Sequence, residues 1–125
     1  MENLFSIENK VIIITGAGRG IGYQLAVGLA KHSAIIYSLD KKFTKKIPKN
    51  FSSNIIEIKC DITDYSKIKQ VFKKIFVKEK RIDVLINNAG VSFASQKKNQ
   101  DYSEKDWIQT INVNLTGSFI AATKP

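Results

Sequence analysis

The chain has 125 residues and a formal charge of +9, set by 20 Lys and Arg against 11 Asp and Glu. That length holds at most one domain with a modest core, no apolar stretch nears the roughly 18 residues of a membrane span, and residues 1–10 lack the basic start and apolar run of a secretory signal. The single Cys60 cannot close an internal disulfide, which fits a reduced, cytoplasmic setting.

The first apolar run, Val11 to Ile14, reads as a buried parallel strand. Thr15-Gly16-Ala17-Gly18-Arg19-Gly20-Ile21-Gly22 follows at once, and a helical pattern begins inside it. Such a turn brings the main chain against a pyrophosphate: glycine permits positive φ, missing side chains let phosphates approach, and the helix N-terminus turns free N–H groups toward the anion. The spacing Gly16-x-x-x-Gly20-x-Gly22 departs from Gly-x-Gly-x-x-Gly, because Ile21 stands where the third glycine would be. On these residues alone, a tight structural loop is the alternative.

Ile21, Leu25 and Leu29, with Ala26 and Ala30, mark the first helix, and His32 falls at its C-terminus, where positive charge is favoured. A second apolar segment, Ala34 to Leu39, ends on Asp40, about 20 residues past the glycines, where a carboxylate can accept hydrogen bonds from ribose hydroxyls. Residues 41–53 carry little periodicity and one proline, and predict a loop or a short helix. A third strand over 55–60 ends at Asp61. Ile68, Val71, Phe72, Ile75 and Phe76 mark a helix that Thr63, Asp64 or Ser66 can cap. A fourth strand over 82–86 runs into Asn87-Asn88-Ala89-Gly90. The last helix is expected to start near Ser103, with Asp106 completing an imperfect capping box, and to run through Ile108, Ile111, Leu115 and Phe119. Asn114 needs a reason in that apolar run, because its side chain competes for backbone hydrogen bonds; a solvent-facing Asn is the alternative. Trp107 and Cys60 read as packing residues.

The charge excess invites a nucleic-acid partner. It is nearly all Lys, at Lys41, Lys42, Lys45, Lys46 and Lys49 in one connection and at Lys67, Lys69, Lys73, Lys74 and Lys78 around one helix. Those are solvated faces, so neither nucleic acid nor membrane is expected as a partner. Alternating strands and helices with right-handed crossovers predict an open parallel sheet covered on both faces.

Thr15-Gly16-x-x-x-Gly20-Ile21-Gly22, Asp40, Cys60-Asp61-Ile62, Asn87-Asn88-Ala89-Gly90 and Val113-Asn114-Leu115-x-Gly117-x-Phe119 together resemble the short-chain dehydrogenases/reductases, in their classical subdivision. The extended subdivision spaces its glycines Gly-x-x-Gly-x-x-Gly. The resemblance covers nearly the whole chain. It implies an α/β, Rossmann-like doubly wound parallel sheet in the order 3-2-1-4, truncated after the fourth strand and the following helix. Residues 1–125 would be one incomplete NAD(P)-binding domain, the amino-terminal half of a protein about twice as long.

By that resemblance, Gly16, Gly20 and Gly22 form the diphosphate turn with the Ile21 N–H as a donor, and Arg19 reaches an adenosine phosphate or stays in solvent. Asp40 holds the ribose. Asp61 and Ile62 meet the adenine, with a helix cap as the alternative for Asp61. The main chain of Asn88 and Ala89 lies along the cofactor, while Asn87 ties neighbouring strands. Asn114, the one catalytic candidate, would sit at a helix distortion and hold a water in the proton relay to a catalytic Lys. The family's Ser and Tyr-x-x-x-Lys would lie beyond Pro125, so the chain alone is expected to be inactive, with Val84-Leu85-Ile86 an unprotected apolar edge. The implied activity is NAD(P)-dependent hydride transfer on an alcohol or carbonyl of the sugar-acid, polyol or 3-oxoacyl class, by a homo-oligomer and without a metal. Asp40 argues for NAD over NADP, against Arg19, Lys41 and Lys42. The alternative is a truncated, non-catalytic dinucleotide-binding remnant.

Overall fold

The computed structural model describes residues 3–93 and 101–123; Pro125, named above, lies outside them. Its centre is β1 (Val11–Thr15), in which every residue is buried. Around it stand β2 (Ile35–Asp40), β3 (Ile55–Lys59) and β4 (Val84–Ile86), all parallel, in the order β3-β2-β1-β4. Ile13 faces Tyr37 on one side and Leu85 on the other. Side chains alternate across the sheet. Val11, Ile13, Tyr37 and Leu39 pack with Ile68, Val71, Phe72 and Ile75 of α2 (Tyr65–Glu79) on one face. Ile12, Ile14, Ile36 and Ile55 pack with Ala26 and Ala30 of α1 (Gly20–Ala30) on the other. Both faces are covered, which is why the strands read as continuous apolar runs rather than alternating ones.

The inward stripe of α1 is Gly22, Ala26 and Ala30, each four residues from the last. These small side chains let the helix lie close to the sheet. Ile21, read above as part of that stripe, is 74% exposed, because the first turn projects past the end of β1. The α1 C-terminus carries Lys31 and then His32, whose N–H donates to the Leu29 carbonyl. Asp64, of the three candidates, caps α2 by accepting from the Lys67 N–H at 3.1 Å. Residues 49–51 form one short 3₁₀ turn in the connection ahead of β3.

A complete capping box opens α3 (Glu104–Ile111): the Ser103 hydroxyl accepts from the Asp106 N–H, and the Asp106 carboxylate accepts from the Ser103 N–H, both at 3.1 Å. The helix carries a distortion at Asn114, where the family resemblance implies one. A π-helical segment covers Asn112–Gly117 before α4 (Ser118–Ala122). The inward stripe is then Val113, Gly117 and Ala121, not the Ile108–Ile111–Leu115–Phe119 row. Trp107 is 60% exposed, so it does not pack as expected; its neighbour Asp106 takes the inward position. Cys60 is buried as expected. No helix among the described residues is long and apolar enough to cross a membrane.

At the opposite end of the sheet, the Asp83 carboxylate accepts from the Val11 N–H at 2.8 Å and pairs with Arg81 at 2.6 Å, joining the starts of β1 and β4. The Arg81 hydrogen bond first, then the Val11 N–H, hold this carboxyl below its ordinary value of 3.8 against the effect of burial. A depressed carboxylate stabilises the fold above its unfolded pKa, and that stabilisation is lost as pH falls through the folded one. Asp83→Asn should therefore flatten the decline in melting temperature below pH 3.8; an unchanged acid limb in thermal scans would mean Asp83 carries none of it. Ser38, 2% exposed on β2, has no partner for its Oγ among the described residues. Ser38→Ala should raise stability by about 1 kcal/mol in urea unfolding, because an orphaned hydroxyl is removed at almost constant volume. A loss of that size would show that the hydroxyl is bonded.

Candidate functional site

The turn leaving β1 is held by side chains that the fold brings from far along the chain. Thr15, fully buried, accepts at its Oγ1 from the Asn88 and Ala89 N–H groups, each at 3.1 Å. The Asn88 carboxamide donates back to the carbonyls of Thr15 at 3.1 Å and Gly16 at 3.0 Å. Asn88, not Asn87, thus ties the neighbouring strands, while the Asn87 amide donates to the Ser118 carbonyl. Alternation at the end of β4 sends adjacent side chains to opposite faces.

The glycines divide by what surrounds them. Gly16 has φ 67°, and a Cβ there would lie 2.7 Å from the Ala89 Cα. Gly22 packs beneath the turn, where a Cβ would meet the Gly16 carbonyl oxygen at 2.3 Å. Gly20, at φ 57°, differs: its missing side chain faces open space, with no atom within 4 Å. The N-terminus of α1 has no side-chain cap and no acidic residue in its first turn, whereas Asp64 and Ser103 cap α2 and α3. Its first N–H groups therefore lack intrahelical and capping acceptors.

Beyond this turn lies a cleft of about 300 Å³. Its walls bring together Gly16, Arg19, Gly20, Ile21, Asp40, Asp61, Ile62, Asn88 and Ala89, from the ends of all four strands. Gly22 and Asn114 are not among them. Asp40, at the end of β2, accepts at Oδ2 from the Gly18 N–H at 2.9 Å, and a Cβ on Gly18 would sit 2.0 Å from the Lys42 carbonyl oxygen. The Asp61 Oδ1 accepts from the Thr63 N–H at 2.9 Å and its hydroxyl at 2.7 Å. Burial raises the Asp61 carboxyl, but the two Thr63 bonds and the nearby Lys41 outweigh it, so the group stays below its ordinary value. Asp61 does not cap α2, since Asp64 does.

Asn114 lies in the π-helical segment and is exposed, yet both ends of its amide are held. Its Oδ1 accepts from the Val91 N–H at 2.7 Å, and its Nδ2 donates to the Val91 carbonyl at 2.9 Å. Through Val91, a wall of the cleft, it fixes the chain that leaves Gly90. Sequence reasoning assigned no role to Thr15 or Gly18. A hydroxyl closing a run of four buried apolar residues is the signal for Thr15, because a buried polar group needs a partner; no local signal marks Gly18, whose neighbours come from the loop after β2.

Thr15→Val should leave two main-chain donors without an acceptor and cost about 1–3 kcal/mol in urea unfolding. A loss well under 1 kcal/mol would mean that the loop after β4 finds other acceptors.

Compared with known proteins, the model of the short chain dehydrogenase family matches residues 10–124. The NAD-dependent glycerol dehydrogenase of Listeria innocua is 34% identical over 120 residues, covering 94% of this chain and 46% of the relative. Among solved structures, a short chain dehydrogenase of Leptospira borgpetersenii with bound NAD+ superposes with a TM-score of 0.82 at 28% identity, over 96% of this chain and 46% of that one. ElxO with NADP bound gives 0.78 at 32% identity, over 90% and 47%. The chain spans about half the length of the curated relatives it matches. Strand order, glycine turn and a match over nearly every residue agree, and the chain belongs to the short chain dehydrogenase family.

Proposed function

We propose that this chain is the dinucleotide-binding part of an NAD(P)-dependent oxidoreductase that acts on an alcohol or carbonyl carbon. One observation carries the reading: the uncapped start of α1 opens through Gly20 into a cleft walled by the two carboxylates Asp40 and Asp61. That donor set fits a dinucleotide. The N–H groups at Gly20 and Ile21 are placed for a diphosphate, with Arg19 as a further cation. Asp40 accepts from the adenosine ribose, Asp61 and the Ile62 main chain meet the adenine, and Asn88 and Ala89 present main chain toward the nicotinamide half.

When bound, the nicotinamide supplies the hydride acceptor or donor. Asn114 holds Val91 in place and, on the family resemblance, positions a water of the proton relay. The substrate class is a polyol, sugar acid or 3-oxoacyl group, the setting cytoplasmic, and the complete protein a homo-oligomer. NAD is the preferred cofactor. The Gly18 N–H anchors the Asp40 carboxylate, so it does not swing away from a 2′-phosphate, and like charges in contact are costly; Arg19, Lys41 and Lys42 oppose that preference.

Calorimetric titration of the full-length protein should give NAD+ binding about tenfold or more tighter than NADP+ binding. Asp40→Ala should bring the two affinities together. Tighter NADP+ binding in the unaltered protein would overturn the cofactor preference, and failure to bind either would overturn the dinucleotide reading.

A further inference from the structure

Away from the cleft, on the face of the sheet that α2 covers, a groove of about 280 Å³ runs between α2 and β3. Its floor is apolar: Tyr37, Val71 and Ile75 are buried, and Ile58 is partly so. Its rim is basic, with Lys67, Lys74 and Lys78 along α2. The three helix lysines stand seven and four residues apart, so they form a row about 16 Å long on one side of the helix. Among the described residues the one salt bridge is Arg81–Asp83, and none of the three rim lysines is in it. The carboxylate beside them, Glu79, already accepts from the Tyr37 hydroxyl at 2.5 Å. Glu57, the carboxylate of β3, falls on the opposite face by strand alternation. In the four-stranded sheet β3 pairs with β2 alone, so its outer main-chain edge has no strand beside it among the described residues.

We propose that this groove docks an acidic, extended polypeptide segment lying along β3 beneath the lysine row. An extended chain rises about 3.3 Å per residue, so some five residues match the row. Alternate side chains then point the same way: acidic ones reach the lysines, and the main chain between them can pair with the free edge of β3. The other anionic surfaces fit less well. A lipid bilayer is too flat to follow a groove bounded by a strand and a helix. Nucleic acid has no main chain to pair with β3, and no aromatic side chain stands on the rim for a base to stack on.

The probe is a capped, fluorescein-labelled peptide of alternating Glu and Val, with a Lys–Val peptide as control, followed by fluorescence anisotropy on the full-length protein at physiological salt. The acidic peptide should bind in the micromolar range and the basic one not at all. Lys74→Glu together with Lys78→Glu should weaken binding at least tenfold, leaving the urea midpoint and NAD+ affinity unchanged, since neither lysine borders the cleft. Amide NMR shifts should concentrate at Ile55, Glu57 and Lys59, whose N–H groups face the free edge of β3, and along the lysine side of α2. Equal binding by the double variant, or shifts elsewhere, overturns the proposal. So does stronger capture of mixed-sequence duplex DNA or phosphatidylserine vesicles than of the acidic peptide.

Discussion

The structure depends on the four hydrogen bonds that join the exit of β1 to the exit of β4. Two parallel strands side by side diverge once their ladder ends, and a cleft at their C-terminal ends needs both exits fixed. The Thr15 hydroxyl and the Asn88 carboxamide do this from opposite sides. Thr15 is buried and Asn88 and Ala89 are half-buried, so leaving these bonds unmade is costly. Two glycines then become obligatory, because a side chain on Gly16 would strike the chain after β4 and one on Gly22 would strike the turn itself. The shape of the cleft follows from these contacts before any ligand is considered.

That geometry also gives the cleft a polarity along its length. One end is the uncapped N-terminus of α1, where dipole and free N–H groups favour an anion. The other holds Asp40 and Asp61, both engaged by main-chain N–H groups. The first of these regions favours an anion and the second favours hydroxyl or amine donors, so the cleft asks for different chemistry in its two parts.

Much of this was legible in the sequence, for reasons that are local. Continuous Val and Ile runs gave the buried strands, and their alternation with helical patterns gave a parallel sheet, whereas its order came from the family resemblance. Ser103 and Asp106 signalled the start of α3. The cleft residues were legible because glycine spacing and strand-ending acids are positions in the chain. What could not be read depends on residues far apart. The loop after β2 has no periodicity, yet its Lys42 carbonyl and Thr44 close over Gly18. The strand-tying role expected of Asn87 falls to Asn88, because one step along a strand reverses the face. Ile21 and Trp107 look like core residues by type, and only the packing shows that small or polar neighbours took the inward positions.

The π-helical segment leaves carbonyls without their usual i+4 donors, and side chains supply some: the Tyr65 hydroxyl reaches the Asn112 carbonyl and the Ser118 hydroxyl the Asn114 carbonyl. A π turn holds one residue more than the α turn it replaces. It therefore works as a phase shifter between α3 and α4, setting Val113, Gly117 and Ala121 against the core while Asn114 faces Val91. Wound as ordinary α-helix with the same residues, the segment would turn α4 by about 100°, carrying Ala121 off the core. Loss of one residue together with the wide turn would instead return α4 to its phase. The extra residue and the π turn are thus one feature, and neither can be kept without the other.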